Sequence, residues 1–494
     1  MSLDLSAYRS DAEQFLERID REYYLHLSGQ KAELELAPIY ERHAPLFERE
    51  AVEDLRDLAA DADGEEQRRR RYLLQFALDG LLGEATKAEA EESARLEATL
   101  EVSVDGSTVP YRQVPVEQAN EADASRREAL EVASRSLLDE RLNPIHREAL
   151  ERSHSLCRDL GWRSYAAAYA ELRGLDFGRL SEQTAKLLAE TEAPYAPTVD
   201  PELRRAGLGI LGELRRSDIP RFFRAPELDA GFPTEGLVSS FARTVAGLGI
   251  ELDEQANVHL DTEARPTKSP RAFCSPLKVP DEIYLVIAPV GGREDYAALF
   301  HEGGHTEHYA HVSAPLPFEF RYLGDNAVTE SFAFLMDRLT EDEAWLREML
   351  GTDPEPVVSH SRAVELIMLR RYCAKLVYER ELHGADVNLE AMPGRYSDLL
   401  SDATRVAWPR ENWVSDVDPG FYVVCYLRAW ALEAIWRRSL RERFGERWFE
   451  RREAGEWLRD LWAQGQRLTA EELLADALSD ELEFGPLIEE LTSA

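Results

Sequence analysis

Apolar residues recur at three- and four-residue spacing along most of the chain, and charged residues occupy the opposite face. The pattern is clear over residues 11–27, 70–102 and 125–142. It predicts amphipathic helices whose apolar faces pack into a core. One interruption, "LEVSVDGSTVPYRQVPV", predicts a β-hairpin that turns at Asp105 and Gly106, because Asp-Gly favours the backbone twist of a two-residue turn.

The pattern changes after about residue 255. "NVHLD", "RAFCS" and "IYLVIA" are short β-like runs separated by Pro, Lys and Gly, which predict a small antiparallel sheet. A helix is expected from about Glu294, a second over "NAVTESFAFLMDRL", and further helices to the end of the chain. The predicted fold class is mainly α.

A proline-rich stretch, "EAPYAPTVDPELRR", separates two long helical regions. Prolines close together favour a turn or linker over a helix. We therefore expect a joint there, between an N-terminal helical lobe of residues 1–195 and a second region of residues 196–494.

The chain has 94 acidic and 58 basic residues, for a formal net charge of -36. This charge argues against nucleic acid or an anionic membrane as partner, since both are polyanions. No basic segment followed by an apolar run begins the sequence, and no apolar stretch approaches the ~18 residues of a spanning helix. The four cysteines show no C-x-x-C spacing and are expected to be thiols. We expect a cytoplasmic protein.

Candidate chemistry is concentrated in "HEGGHTEHYAH", residues 301–311, which holds four of the eleven histidines. On a helix, His301 and His305 lie one turn apart on the same face, the spacing that two imidazoles need to share one Zn²⁺. Glu302 is positioned to act as general base toward a zinc-activated water. The pair Gly303-Gly304 costs about 1 kcal/mol per glycine in helix stability. Such glycines indicate close approach of another backbone or of a substrate.

The third metal ligand is expected to be Glu330, which lies in an otherwise apolar helix. A carboxylate there needs a partner, because desolvating an unpaired charge is costly. Two alternatives remain. His311 has the offset used when a glycine breaks the zinc helix, but His308 stands where that glycine would be. Asp325 has a thermolysin-like spacing but lies in a turn.

"HEGGHTEH" followed by Glu330 resembles the H-E-x-G-H-x-x-H plus glutamate pattern of the thimet oligopeptidase and oligoendopeptidase F family. These are helical zinc peptidases related to angiotensin-converting enzyme. The likeness includes the preceding strands and the later helix "GFYVVCYLRAWALEAIW", and it covers roughly residues 255–435. The resemblance implies two helical lobes flanking a deep cleft, with the small sheet beside the zinc helix.

The resemblance also implies roles for individual residues. His301, His305 and Glu330 would bind one Zn²⁺ per chain, and Glu302 would act as the base. Tyr422 and Tyr426 would donate hydrogen bonds to the oxyanion. An edge strand around Ala272, Phe273 and Cys274 would pair with an extended peptide, and His308 would be a substrate-binding or structural residue. Buried core tyrosines are an equal alternative for Tyr422 and Tyr426. The region 196–494 would be the zinc-binding catalytic part.

One departure from the family concerns the stretch before the tyrosine helix. The family has a histidine there, whereas "NWVSDVDPGFY" has none. Loss of such a donor costs about 10²–10³ in rate if nothing replaces it. The expected function is zinc-dependent hydrolysis of short peptides. The alternatives are a zinc-containing peptide-binding protein of little or no activity, a zinc hydrolase of non-peptide amides, and a purely structural helical protein.

Overall fold

The computed structural model of the protein describes residues 3–493 and is mainly helical, as the sequence predicts. The α-helices, in chain order, are α1 Leu5–Leu27, α2 Ala37–Arg42, α3 Arg49–Ala60, α4 Gly64–Ala85, α5 Lys87–Thr99, α6 Val114–Asn120, α7 Ala124–Leu137, α8 Asn143–Asp159, α9 Tyr165–Arg173, α10 Phe177–Glu190, α11 Glu192–Arg205, α12 Ile219–Arg224, α13 Leu237–Gly247, α14 Arg293–Ala310, α15 Phe318–Tyr322, α16 Asn326–Asp337, α17 Glu343–Trp345, α18 Glu355–Leu382, α19 Met392–Thr404, α20 Tyr422–Phe444, α21 Arg452–Trp462, α22 Ala470–Leu478 and α23 Gly485–Thr492. The strands are β1 Glu101–Val104, β2 Ser107–Pro110, β3 Val258–Asp261, β4 Phe273–Lys278 and β5 Glu282–Val286. Over residues 3–493, no helix combines the length and the apolar character needed to cross a bilayer.

The chain forms two compact units that are interleaved in sequence. Unit 1 contains the described residues up to Gly80, Glu227–Val358 and Arg428–Leu487. Unit 2 contains Leu81–Pro226, Ser359–Leu427 and the described residues from Ile488 onward. The predicted division into 1–195 and 196–494 does not coincide with these units. Each unit combines segments that are far apart in the sequence, which local patterns do not reveal.

The predicted joint at the proline-rich stretch is wrong, because that stretch forms helix α11. Buried side chains such as Tyr195, Val199 and Leu203 fix it within unit 2. The Tyr195 hydroxyl donates to the carbonyl of Thr404 at 2.7 Å, and the Arg370 guanidinium lies 4.5 Å from the Tyr195 ring centroid. These contacts outweigh the backbone hydrogen bonds that prolines inside a helix cannot make.

The two small sheets match the predicted strands. β1 and β2 form the expected antiparallel hairpin, and Asp105 and Gly106 both adopt positive φ at its turn. The second sheet, in unit 1, has the strand order β3-β5-β4. Strands β4 and β5 are antiparallel as predicted, but β3 runs parallel to β5. β4 is therefore an edge strand that lies beside helix α14.

Candidate metal centre

Helices α14 and α16 of unit 1 cross closely at Gly304. A Cβ atom there would lie 2.7 Å from the Cα of Ala333 and 2.7 Å from the carbonyl oxygen of Phe332, both backbone atoms of α16. At Gly303 a Cβ would lie 2.3 Å from the ring of Phe241. The expectation that another backbone approaches these glycines is confirmed at Gly304. Glu330 lies one turn before Ala333, so the close crossing brings its carboxylate to the histidines of α14.

The structure brings together His301, His305 and Glu330. The Nε2 atoms of His301 and His305 lie 3.6 and 3.8 Å from the same Glu330 oxygen, Oε2. These separations are too long for good hydrogen bonds. They are close to the ~3.3 Å expected between two tetrahedral ligands with metal bonds of ~2.0–2.1 Å. Among residues 3–493, these three form the one group of His, Cys, Asp and Glu donors that converge within 4.8 Å.

The donor set fits a zinc ion. Two imidazoles and one carboxylate are ligands that Zn²⁺ accepts, and three protein ligands leave a coordination position open, as catalytic zinc sites require. Each histidine also has its second ring nitrogen engaged. Nδ1 of His301 lies 2.9 Å from Oδ2 of Asp337, and Nδ1 of His305 lies 2.8 Å from Oγ1 of Thr329. When Nδ1 carries the proton in each ring, it donates in both pairs, and each Nε2 keeps a lone pair for a metal. These bonds orient both Nε2 atoms toward Glu330.

Asp337 and Thr329 were not predicted from the sequence. Asp337 lies two helical turns after Glu330 on α16, and therefore on the same helix face. That spacing of two acids on an apolar helix is the signal by which it could have been found. Thr329 gives no comparable signal, since a threonine beside a buried glutamate is ordinary.

The two histidines have opposite electrostatic environments. Burial disfavours a charge on His301, but the hydrogen bond and the negative charge of Asp337 prevail and raise its pKa to about 9. Burial lowers the pKa of His305 well below its ordinary value, and the nearby histidines add to the decrease. One imidazolium therefore lies among the acidic groups of this cluster. A divalent cation on the same donors would displace that proton.

Glu302 reaches from α14 to the edge of the sheet. Its Oε2 accepts the backbone N–H of Cys274 on β4 at 2.8 Å. Burial raises the pKa of the Glu302 carboxyl, and the charge of His301 opposes this rise. A raised pKa brings a carboxylate closer to the range in which it both accepts and returns a proton near neutral pH.

The edge strand differs in detail from the prediction. The Cys274 N–H points away from β5, and in an antiparallel pair the carbonyl of the same residue points the same way. Cys274 therefore faces the free edge. Phe273, its neighbour, faces β5 and stands opposite Val286, so it does not offer the predicted edge bonds. Ala272 lies one residue before the strand, outside the pairing with β5.

His308 was predicted to bind substrate or to be structural, and the structure contradicts the first of these roles. Its side chain is fully buried, with ring centroids 5.2 Å from Phe332 and 5.3 Å from Tyr309. Burial lowers the pKa of His308 to about 3. The residue shares a helix face with His301 but lies two turns further along, where α16 covers α14.

The alternative third ligands lie elsewhere. The His311 ring is hydrogen-bonded through Nδ1 to the carbonyl oxygen of Glu307 at 2.8 Å, at the end of α14. Asp325 caps the N-terminus of α16 by accepting the Ala327 N–H at 3.1 Å, and it forms an ion pair with Arg428 at 2.6 Å. Neither belongs to the converging group, so Glu330 is the residue that the geometry selects.

The tyrosine pair belongs to unit 2. Tyr422 and Tyr426 are partly exposed, whereas the three residues between them are buried, and their ring centroids lie 4.9 Å apart. The prediction that they share one face of a helix is confirmed. Their role as oxyanion donors stays a prediction.

The stretch before α20 contains two ion-paired aspartates in place of a histidine. Asp416 pairs with Arg371 at 2.5 Å, and Asp418 pairs with Lys375 at 2.7 Å. Burial alone would raise the pKa of Asp416, but the positive charges of Arg371 and Lys375 prevail and lower it to about 2. Both aspartates therefore form ion pairs with basic side chains of unit 2.

A scan of the chain against models of known protein families finds no match, and a search of curated proteins finds none either. The resemblance to the oligopeptidases stays a prediction. The geometry of unit 1 is therefore the basis for a functional proposal.

Proposed function

We propose that this chain is a zinc-dependent peptidase that hydrolyses short peptides. The proposal is supported chiefly by one observation: the Nε2 atoms of His301 and His305 converge on the Glu330 carboxylate, while Glu302 extends from the same helix to a sheet edge. A metal donor set, a candidate base and an outward-facing strand thus occur together. An extended peptide fits such an edge because it forms main-chain hydrogen bonds there.

The residues of the chain have defined tasks in this proposal. His301, His305 and Glu330 would hold the ion, and a zinc ion supplies a Lewis acid that polarises a carbonyl group and acidifies water. Asp337 and Thr329 orient the imidazoles. Glu302 takes a proton from the attacking water and passes it to the leaving amine. The backbone carbonyl of Cys274, whose N–H is bound to Glu302, orients the peptide along β4.

We propose the cytoplasm as the compartment of this activity. The four cysteines, all within the described residues, form no disulfide bond. Thiols are the usual state of cysteine in a reducing cytosol, whereas secreted proteins favour disulfides.

The proposal is tested by counting zinc and measuring hydrolysis on the same protein. We expect native mass spectrometry to find one zinc per chain, and quenched fluorescent peptides to be cleaved by the loaded protein but not after chelation. Glu330→Gln should lose zinc, with an affinity lower by at least about 100-fold, since removing a ligand costs more than removing one of its outer partners. Glu343→Gln, at an exposed position of unit 1, serves as control.

Three outcomes of this test are distinct. Zinc-dependent cleavage that Glu330→Gln abolishes supports the proposal. Zinc binding with peptides bound but uncleaved would replace it by the alternative of a peptide-binding protein. Full zinc occupancy in Glu330→Gln would refute the assigned ligand set.

Asp337→Asn is expected to weaken zinc binding by about 10–100-fold, the usual cost of losing an outer partner of a metal ligand. Asparagine keeps an acceptor for His301 but removes the negative charge that makes the imidazole a stronger ligand. Competition with a chromophoric chelator measures the affinity. The measurement is made at two pH values, because the charge of Asp337 also raises the pKa of His301 and so favours a competing proton. Asp57→Asn, at an exposed position of unit 1, is the matched control. An unchanged affinity would show that Asp337 does not support the metal.

A further inference from the structure

A cavity of about 330 Å³ lies entirely within unit 2. Sites for small molecules in proteins begin at about this size. One wall is the face of α7 that carries Glu131 and Arg135, continued by Leu138 just after the helix. Another wall contains Tyr111 and the first turn of α6 with Val114. The donors of the candidate metal centre belong to unit 1, so this cavity is separate from them.

Arg135 lines the cavity with a guanidinium that makes no hydrogen bond within residues 3–493. Its Nε atom is buried without a partner. Its ion pair is with Glu411, and the 3.9 Å between Nη1 and Oε2 is too long for a hydrogen bond. The side chain is 28% exposed, so a molecule in the cavity can reach it. A partly buried group with five N–H donors and no acceptor is unusual in a folded protein.

The other two arginines of the cavity are already engaged. Nη1 of Arg216 donates to Oε2 of Glu131 at 2.8 Å. Nη2 of Arg112 donates to a backbone carbonyl at 2.9 Å, and its Nε lies 3.6 Å from Oε2 of Glu97. Each glutamate of the lining is thus next to one of these two arginines. Arg135 is the lining cation that keeps its full capacity for hydrogen bonds.

Two neutral polar groups of the cavity also lack hydrogen bonds in the described part of the chain. They are the Tyr111 hydroxyl and the side-chain amide of Asn412, whose oxygen is buried without a partner. The Tyr111 ring is held between two apolar clusters, one around Leu130 and the other around Leu96. Its backbone N–H also donates to the carbonyl of Leu100 at 2.9 Å. The hydroxyl is therefore a donor on a fixed side chain.

The cavity has an apolar part as well. Val114 and Leu138 both line it, and each is a buried member of one of those two clusters. Pro115 adds an apolar surface at an exposed position. A few polar groups beside an apolar surface are the usual composition of a small-molecule site. Here the polar groups include one guanidinium without a hydrogen-bonded acceptor.

We propose that this cavity binds a small organic carboxylate, with the carboxylate group on Arg135 and the apolar body against Val114 and Leu138. The planar fork of a guanidinium matches a planar carboxylate and binds it through two parallel hydrogen bonds. Tyr111 and Asn412 supply further N–H and O–H donors. A single negative charge is favoured over a phosphate dianion, because two glutamates line the same cavity and repel additional negative charge.

Calorimetric titration of the full chain tests this proposal with four compounds of similar or smaller size. Benzoate is the carboxylate probe, benzamide and benzylamine are its neutral and cationic counterparts, and inorganic phosphate is an anion without an apolar body. We expect benzoate to bind with a Kd of about 1 mM or tighter, within the range of ligands of this size. The other three compounds should bind at least about 10-fold more weakly.

Variants connect the binding to the cavity. Arg135→Gln should weaken benzoate binding by about 10–100-fold, the usual effect of losing hydrogen bonds to a charged group. Arg135→Lys keeps the charge but loses the planar fork, and should give an intermediate loss. Arg158→Gln, at an exposed arginine of the same unit, is the matched control and should bind as wild type does. Benzoate should raise the Tm of wild type but not that of Arg135→Gln.

Each outcome has a distinct meaning. Benzoate binding that depends on Arg135, with weak binding of the three other compounds, supports the proposal. Equal affinity for benzamide would overturn the role of the charge, and equal affinity for phosphate would show a general anion surface. Unchanged benzoate binding in Arg135→Gln, or no benzoate binding to wild type, would overturn the site itself. Neither zinc nor peptide hydrolysis enters these measurements, so they leave the proposed peptidase activity untouched.

Discussion

Glu302→Gln is expected to reduce peptide hydrolysis by about 10²–10⁴-fold, the usual contribution of general acid–base catalysis, without loss of zinc. Glutamine has nearly the same shape, and its amide oxygen can still accept the Cys274 N–H. It cannot take a proton from water at neutral pH. The converging donors do not include position 302, so the ligand set remains complete.

A matched control is available on the same helix. Glu307 is fully buried in α14, and its carboxylate accepts a hydrogen bond from Gln255 at 3.0 Å. Glu307→Gln keeps an acceptor there and should leave hydrolysis within a few-fold of wild type. Initial rates with quenched peptides and zinc counts on both variants show whether Glu302 acts as the base and not as a ligand. Wild-type rates in Glu302→Gln would mean that another group accepts the proton, and loss of zinc would make Glu302 a ligand.

Gly304→Ala is expected to lower the free energy of unfolding by about 1–3 kcal/mol and to reduce zinc occupancy, because an added methyl group overpacks the crossing of α14 and α16. The atoms in its way, the Cα of Ala333 and the carbonyl oxygen of Phe332, belong to the backbone and cannot change rotamer. The helices must then separate, which moves Glu330 away from the two imidazoles. Urea unfolding and zinc counts measure the two effects.

Gly83→Ala should have the opposite effect on stability and raise the free energy of unfolding. Gly83 lies in α4, and nothing lies within 4 Å of a Cβ placed there. Alanine at an open helical position stabilises by up to about 1 kcal/mol relative to glycine. Equal stability and equal zinc content in Gly304→Ala and wild type would show that the close crossing does not control the distance between the donors.

Local sequence patterns were sufficient for most of the helices and for the three converging donors. The i, i+4 spacing of His301 and His305 is a property of one helix, and the buried setting of Glu330 follows from its apolar neighbours. Both are visible within about a dozen residues. The crossing of α14 and α16 could be anticipated as well, because two adjacent glycines in a helix are costly unless another chain segment packs there.

Features that depend on distant segments were not predictable in this way. Helix periodicity does not reveal that unit 1 combines three separate stretches of chain, nor that α1 packs against β4 through Tyr24. The proline rule failed at α11 for a similar reason, since the contacts of Tyr195 with Thr404 and Arg370 join positions far apart. His308 shows a related limit of local patterns. It shares a face of α14 with His301, but it is buried where α16 covers that helix.

The interleaving of unit 1 has a consequence for synthesis on the ribosome. Helix α16, which carries Glu330, packs against the last segment of the unit: Phe334 stacks on Trp430, and Phe332 lies against Trp436 and Trp462. A chain made from its N-terminus exposes α14 and α16 well before these tryptophans exist. About a hundred further residues are synthesised, at roughly 5–20 residues per second, before the apolar surfaces of α14 and α16 can be covered. For several seconds, the helices that carry the donors therefore lack the tryptophans that pack against α16.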